Sequence, residues 1–571
     1  MKPIRIDKPR TPDPITTEVV GSFLLAAAEE MGEILVRTSY STNIKERRDC
    51  SAAILDVDGG TIAQASHIPL HMGSMLGLVQ AILSHFPQSE IRQGDVFITN
   101  DPYSGGGTHL PDVTVAAPFF ANGKLEAFVA NVAHHAEVGG SPSQSLDIYT
   151  EGVRIPLVRL YQEGELSQGI MDFFLLNCRL PEERLADLRA QTAALDAGLQ
   201  RLEELVGKYG VDTYRNCLNL LEEQAEAQAR KGIESLPQGT YRFTDYMDSD
   251  GFGSEPVPIC LELTVAEDRI ICDFTGSSTQ VRGPINLPYY ATLASVYYAL
   301  KAVLDPTLPA NSGFYRTLQV SAPAGTIVNC NPPAPCIFRS DTAQRIVDVV
   351  LGALAQAVPE RVVAASNGAA SGVYFLGYKE NGSYYAYIET LGGGMGASGR
   401  GDGADGVQVH ITNTSNLPIE ALEMEYPMRI ERYELVPDSG GPGKFRGGLG
   451  LLRQYRVLTD ETRVRTKGDR NLLAPWGLDG GHPGGRSRVV QDVGTGRERD
   501  FNAVEQNIVL DTGDSLLIVT PGAGGYGPPG ERDRAAVLRD VAEGKVSEQS
   551  AIEVYGLRPE ELRTQDRITL N

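Results

Sequence analysis

The chain is short of several things, and each shortage closes off a class of function. Cysteine is scarce. Cys50, Cys178, Cys217, Cys260, Cys272, Cys330 and Cys336 are scattered, odd in number and without a Cys-x-x-Cys pair. That argues against a disulfide framework and for a reduced, cytoplasmic protein. Long apolar runs are missing. No stretch of about 18 apolar residues occurs, so nothing reads as membrane-spanning. Met1–Lys8 carries basic residues with no apolar segment behind them, unlike a secretory signal. Positive charge is in deficit: 51 Lys and Arg face 73 Asp and Glu, a net charge of −22. With no basic stripe to offset it, nucleic acid and anionic membrane are repelled rather than bound. A Gly-x₄-Gly-Lys-Ser/Thr loop is absent, and no Gly-x-Ser-x-Gly sits between a strand and a helix. Gly522–Gly527 spells G-x-G-x-x-G after a strand, but Pro528 and Pro529 follow at once and no further strand completes the unit. We read it as a structural turn near a site, not a dinucleotide loop.

Glycine, by contrast, is plentiful, with 62 residues in a chain of 571. Turn-rich, β-containing architecture follows, and the length suits roughly two to four domains. Residues 1–14 hold four prolines and read as an extended arm. Val20, Phe23, Leu24, Ala27, Met31, Ile34 and Leu35 recur at helical spacing and predict a helix over Pro14–Thr38. Strands are expected at Ser51–Val57 and Thr61–Ala65, around Asp58-Gly-Gly60, and at Asp95–Thr99, Val113–Pro118 and Leu125–Ala133. A helix is expected over Met72–Ile82, and a rim of Gly and Ser over Val138–Ser145. Pro181–Val206 and Val211–Gly232 predict a long helical pair, read as scaffold. Further helices are predicted over Asn286–Leu304 and Ala343–Val358, then a run of strands over Glu423–Val519 and two short C-terminal helices. The resulting class is α+β and multidomain, with mixed sheets, a long helical pair and a β-rich C-terminal region. Boundaries are expected at 1–175, 176–238, 239–367, 368–530 and 531–571.

The chemistry concentrates in Thr99–Asp112, read on to His134. Gly105–Gly107 free the backbone, Pro102 and Pro111 stiffen its ends, and His109 and Asp112 share a short arc. With His134 they make a plausible three-point set for a divalent metal; a His-x-x-Asp pair equally makes a turn whose Asp bonds its own backbone. His134 and His135 are adjacent on a strand, so only one of them faces the site. His67 and His71 are four apart, yet Pro69 between them argues against a regular helix. The run Gly392–Gly403 reads either as a cradle for an anionic group or as a loose lid.

Thr99-Asn-Asp-Pro-Tyr-Ser-Gly-Gly-Gly-Thr-His-Leu-Pro-Asp-Val-Thr114 resembles the signature of the hydantoinase B/5-oxoprolinase B family. Ser41-Thr-Asn-Ile-Lys-Glu-Arg-Arg-Asp-Cys-Ser51, His71-Met-Gly-Ser74 and Thr520-Pro-Gly-Ala-Gly-Gly-Tyr-Gly527 match its pattern as well, and the likeness runs from about Pro12 to the C-terminus. The resemblance implies the B subunit of an ATP-dependent cyclic-amide hydrolase that opens a hydantoin, 5-oxoproline or lactam ring. It implies a hetero-oligomer with a hydantoinase A type subunit that binds the ATP and magnesium. It also implies metal ligands at His109, Asp112 and His134, with Asp49 a weaker fourth, for zinc, manganese or iron. Asp101 is then a ligand, an orienter of a histidine or a turn-maker, the last two preferred. His71 lines the site, His135 is an acid or base if it faces the substrate, and Gly393, Gly394, His410 and Asn413 line the substrate. Three rivals are weighed: a ketone carboxylase subunit using bicarbonate, a standalone non-haem Fe(II) protein with a two-His-one-carboxylate triad, and a scaffold whose partner does all the chemistry.

Overall fold

A computed structural model describes residues 12–141, 144–253 and 255–563. Most of the expected N-terminal arm, part of the Val138–Ser145 rim and the last eight residues lie outside the described residues. Helices and several sheets are mixed in one chain, the α+β, multidomain class expected from the sequence.

The N-terminal sheet has seven strands: β1 (Cys50–Asp56), β2 (Thr61–Gln64), β3 (Val96–Thr99), β4 (Asp112–Ala121), β5 (Lys124–His134), β6 (Val158–Gln162) and β7 (Glu165–Leu166). Their spatial order is β2-β1-β5-β4-β3-β6-β7, and every pairing is antiparallel. β4 and β5 are buried along most of their length, so both faces are covered. On one face lie the N-terminal helix Pro14–Thr38 and the helix Pro181–Tyr209; Leu24, Met31, Leu35, Leu195 and Leu202 share one apolar core with Val113, Val115 and Val129. Gly198 permits the close crossing, since a Cβ there would lie 2.5 Å from the Met31 sulfur. A smaller core on the other face takes Met75, Leu78, Val79 and Ile82.

Two element expectations need correcting. Met72–Ile82 is not one helix: a 3₁₀ turn at Pro69–His71 leads into Met72–Met75, and a new helix runs from Leu78 to His85. Gly77 separates them at φ +119°, and a Cβ there would sit 2.2 Å from the Tyr290 ring, so the break is dictated by packing. The helix expected at Ala343 begins four residues earlier, at Arg339, and ends at Leu354.

The middle region pairs a four-stranded sheet with the helices Tyr289–Leu304 and Arg339–Leu354 around the largest apolar core. Two further sheets, of four and five strands, pack in the C-terminal half. Beside them Gly392–Gly406, Ser439–Gly450, Gly477–Gly485 and Thr520–Gly527 stack backbone against backbone. A Cβ on Gly394 would fall 2.1 Å from the Gly448 carbonyl, on Gly522 1.8 Å from that of Ser439, and on Gly524 1.9 Å from that of Trp476. The Gly392–Gly403 segment is therefore no loose lid. Its N–H groups are engaged: Gly393 donates to Val407 O, Gly394 to Pro521 O and Ala397 to Gly524 O. None of these three is free to cradle an anion.

Candidate metal centre

The sheet order brings the candidate ligands together. β1, β5 and β4 are neighbours, and the same end of each carries one: Asp49 precedes β1, His134 closes β5 and Asp112 opens β4. Asp112 and His134 are register partners, and the His134 N–H donates to the Asp49 carbonyl at 2.9 Å. His109 returns on the β3–β4 loop, where its carbonyl accepts the Asp112 N–H at 3.0 Å and Asn100 Nδ2 holds the Leu110 carbonyl at 2.8 Å. Gly107 lets that loop close: a Cβ on it would approach the Asn100 carbonyl to 2.8 Å. His71 arrives from the Pro69–His71 turn.

One donor atom each from His109, Asp112 and His134 lies within 4.8 Å of the others, and all three residues are buried. His109 Nε2 is 3.2 Å from Asp112 Oδ1. His71 Nε2 is 3.4 Å from Asp49 Oδ1 and 3.7 Å from Asp112 Oδ1, while its Nδ1 is 3.3 Å from Ser51 Oγ. The other Asp112 oxygen accepts from Thr108 Oγ1 and, at 2.9 Å, from Arg339 Nη2. Beside these groups is a cavity of about 40 Å³, lined by Asp49, His71, His134, Arg339, Ser340 and Lys467 among others.

Burial holds His109 down to about 4, reinforced by Arg339 and opposed by Asp112, and burial with His109 beside it holds His134 well below the ordinary imidazole range. Burial alone would raise Asp112, yet Arg339 and His109 carry it well below the usual carboxylate value. Two neutral imidazoles and one carboxylate are the protonation states a divalent metal requires. The donor set fits such an ion at two points. His109 Nδ1 lies 3.1 Å from the Ile337 carbonyl, which fixes the proton there and turns the Nε2 lone pair inward. Among the described residues, that Nε2 and Asp112 Oδ1 are buried polar atoms without a hydrogen-bond partner, a costly arrangement that an ion would satisfy. His134 is held differently. Arg47 donates to Asn43 Oδ1, so the Asn43 amide turns its NH₂ toward His134 Nδ1, 3.0 Å away. This bond leaves the neutral ring's proton on Nε2, and His134 joins a metal by exchanging that tautomer or its ring orientation.

The other expected residues fall in several places. His135 points to the opposite face of β5 and away from the cavity. Its Nε2 is 3.0 Å from Gln191 Oε1 on the long helix and its ring meets Phe174 edge-on, so strand alternation makes it a packed histidine rather than an acid or base. Asp101 makes a turn, accepting the Tyr103 N–H at 3.1 Å and Arg154 Nη2 at 2.8 Å. Gly393 and Gly394 are buried in the glycine stack. His410, at φ +54°, has Nε2 3.2 Å from Asp348 Oδ1, and Asn413 Nδ2 donates to the His67 carbonyl at 3.3 Å. Sequence reasoning passed over Asn43, Arg47, Thr108, Arg339 and Lys467. The first three lie inside the motifs quoted above and were legible there; Arg339 and Lys467 lie on a helix and a strand far along the chain, with no local signal.

Residues 13–529 match the Hydantoinase B/oxoprolinase family model. Among curated relatives, an uncharacterised protein of Methanocaldococcus jannaschii is 40% identical over 560 residues, covering 96% of each chain. The caprolactamase subunit beta of Pseudomonas jessenii is 32% identical over 574 residues, again 96% of each. 5-oxoprolinase 1 of Arabidopsis thaliana is 33% identical over 90% of this chain but only 42% of its own length. Among solved structures, the ATP-dependent caprolactamase of Pseudomonas jessenii superposes with a TM-score of 0.88 at 30% identity, covering 96% of this chain and 98% of that one. A nucleotide-free acetone carboxylase shares the fold at TM-score 0.88 and 19% identity, covering 98% and 84%. The chain belongs to the hydantoinase B/oxoprolinase family.

Proposed function

We propose that this chain is the metal-holding B subunit of an ATP-dependent cyclic-amide hydrolase, working with an ATP-binding A-type subunit in the cytoplasm. The observation that carries the reading is the buried pair His109 Nε2 and Asp112 Oδ1, 3.2 Å apart and both without a hydrogen-bond partner among the described residues, with His134, His71 and Asp49 around them. Zinc, manganese or iron would suit these ligands, and such a metal would polarise a carbonyl or acidify a bound water. Amide resonance makes the ring carbonyl a poor electrophile, and phosphorylation of its oxygen by the partner's ATP makes that oxygen a leaving group. On this chain the Asp49–His71 pair, 3.4 Å apart, is placed to take the proton of an attacking water. The partner is supported by the relative named as a subunit and by the 5-oxoprolinase whose length exceeds this chain's share of it.

The test is metal analysis and ATP-dependent turnover on the complex co-expressed with its A-type partner, with hydantoin, 5-oxoproline, caprolactam and acetone, with and without bicarbonate. Ring opening by wild type, and loss of both metal and turnover in His109→Ala and His134→Ala, is the expected result. A carboxylated ketone would replace the reading with a carboxylase. Turnover of the chain alone with ferrous ion and oxygen would favour the non-haem iron reading. Metal-free protein with fully active variants would leave it a scaffold.

A further inference from the structure

Lys467 is a buried lysine with an incomplete set of partners. It closes the strand Thr462–Lys467, where its register partner on Gly372–Tyr378 is Gly372. Gly372 clears its path: a Cβ there would lie 3.1 Å from the Lys467 Cε and 3.4 Å from its Cγ. The stem thus runs over a bare backbone, and the residue is only 6% exposed. Among the described residues its ammonium makes one hydrogen bond, 2.7 Å to Ser340 Oγ, although it carries three donors. The neighbouring carboxylate does not close the account, since Asp341 Oδ2 is itself buried without a hydrogen-bond partner among the described residues.

Lys467 lines the cavity that His71, His134 and Asp49 also line, and Arg339 joins it there. In a chain of net charge −22, this is a cationic wall facing the candidate reacting groups. The cavity's volume, about 40 Å³, exceeds the roughly 10–15 Å³ that admits one water, so it has room for a small oxyanion. Burial lowers Lys467 to about 8, with Asp341 opposing, which leaves it mostly protonated at neutral pH.

We propose that Lys467, with Arg339, forms a binding site for a small oxyanion, and that its occupant during turnover is the anionic oxygen of the activated group. Two sources share that chemistry: a phosphoryl group transferred to the ring carbonyl, and bicarbonate. Only the statement about turnover rests on the hydrolase reading above; the anion site itself does not.

Titration calorimetry of the isolated chain with inorganic phosphate, and separately with bicarbonate, tests the site directly. Lys467→Met removes the charge at similar volume and Lys467→Arg restores it. Charge-assisted hydrogen bonds of this kind predict saturable binding by wild type, at least about tenfold weaker in Lys467→Met and within about threefold of wild type in Lys467→Arg. Tighter binding of phosphate than bicarbonate points to the phosphoryl source, and the reverse to bicarbonate. Absence of saturable binding by wild type to either anion overturns the site, without recourse to any variant. So does undiminished binding by a folded Lys467→Met. Turnover of the complex separates the two ideas. An inactive wild-type complex whose chain still binds anion in a Lys467-dependent way defeats the hydrolase reading and leaves the site standing. An active complex unaffected by Lys467→Met defeats the role in turnover.

Discussion

Asn43 shows how much depends on a single amide. Its oxygen is taken by Arg47 and its NH₂ serves both His134 Nδ1 and, at 2.6 Å, the His134 carbonyl. Asn43→Asp replaces that donor with an acceptor and moves the neutral ring's proton to Nδ1, freeing Nε2. Metal affinity of the purified chain, measured by chelator competition, should then rise by about tenfold, the scale on which partners of metal-bound histidines act. A tenfold fall would show that His134 already presents its lone pair by the other orientation. Glu151 gives a second prediction. It is fully buried, accepts the N–H groups of Cys336 and Ile337 at 2.8 Å, and so braces the carbonyl that holds His109. Burial pushes it up to about 7 from 4.5, opposed by its bonds to Ser145, Ile337 and Cys336. A carboxyl raised in the folded state contributes stability that is complete below 4.5 and is lost as pH rises through 7. Glu151→Gln keeps the acceptor and removes the titration. Its stability relative to wild type should therefore increase by about 3 kcal/mol between pH 4.5 and pH 8 in denaturant titrations; a pH-independent difference would refute the assignment. The sequence showed His109, Asp112 and His134 because a glycine-flanked loop and a strand end advertise themselves. It also held Asn43 and Arg47 in plain view, but a polar residue in a charged loop does not reveal which neighbour it orients.

At the level of elements, the expectations that held were the N-terminal helix and the long helical pair, which follow from burial of one face, and the hairpin strands, which the Asp58-Gly-Gly60 turn marks. Apart from the early start of the helix at Arg339, those that failed turned on glycine. Gly77 breaks a helix because Tyr290 fills the space a side chain would need, and the Gly392–Gly403 segment is packed rather than free. Glycine spells flexibility in an isolated chain and close approach in a folded one, and only the partner backbone distinguishes the two. Gly394→Ala, which drives a methyl against the Gly448 carbonyl, should cost more than about 3 kcal/mol or prevent folding. Gly207→Ala provides the control: it lies within the helix Pro181–Tyr209 with nothing within 4 Å, and should stabilise by about 0.5–1 kcal/mol. Equal melting temperatures for the two variants would contradict the packing argument.

Across the whole molecule, buried charge joins the apolar core in tying the regions together. Arg345, on the helix Arg339–Leu354, is fully buried and donates to Asp469 at 2.5 Å, with Asp245 at 3.5 Å. Arg470 reaches Asp245 at 2.8 Å and Asp348 at 3.2 Å. Residues far apart in sequence meet here, so no window of sequence shows the network. Arg345→Met leaves Asp469 and Asp245 buried with part of their counter-charge gone, and should destabilise by about 3–5 kcal/mol. Chemical denaturation of wild type and variant would measure it, and a loss under about 1 kcal/mol would mean that the carboxylates are neutral. Asp469 is itself raised to about 7, by burial first, so the penalty should be greatest above that pH.

The stacked glycines also set a limit on how this chain can diverge. At Gly394, Gly522 and Gly524 the space for the smallest side chain is already occupied by another loop's backbone, and that loop carries glycines of its own for the same reason. Neither loop can accept a replacement first, so no sequence of single tolerated steps leads away from the pattern. Inheritance should preserve these positions across the family. Divergence is thereby left to side chains such as those that line the cavity beside His71 and Lys467.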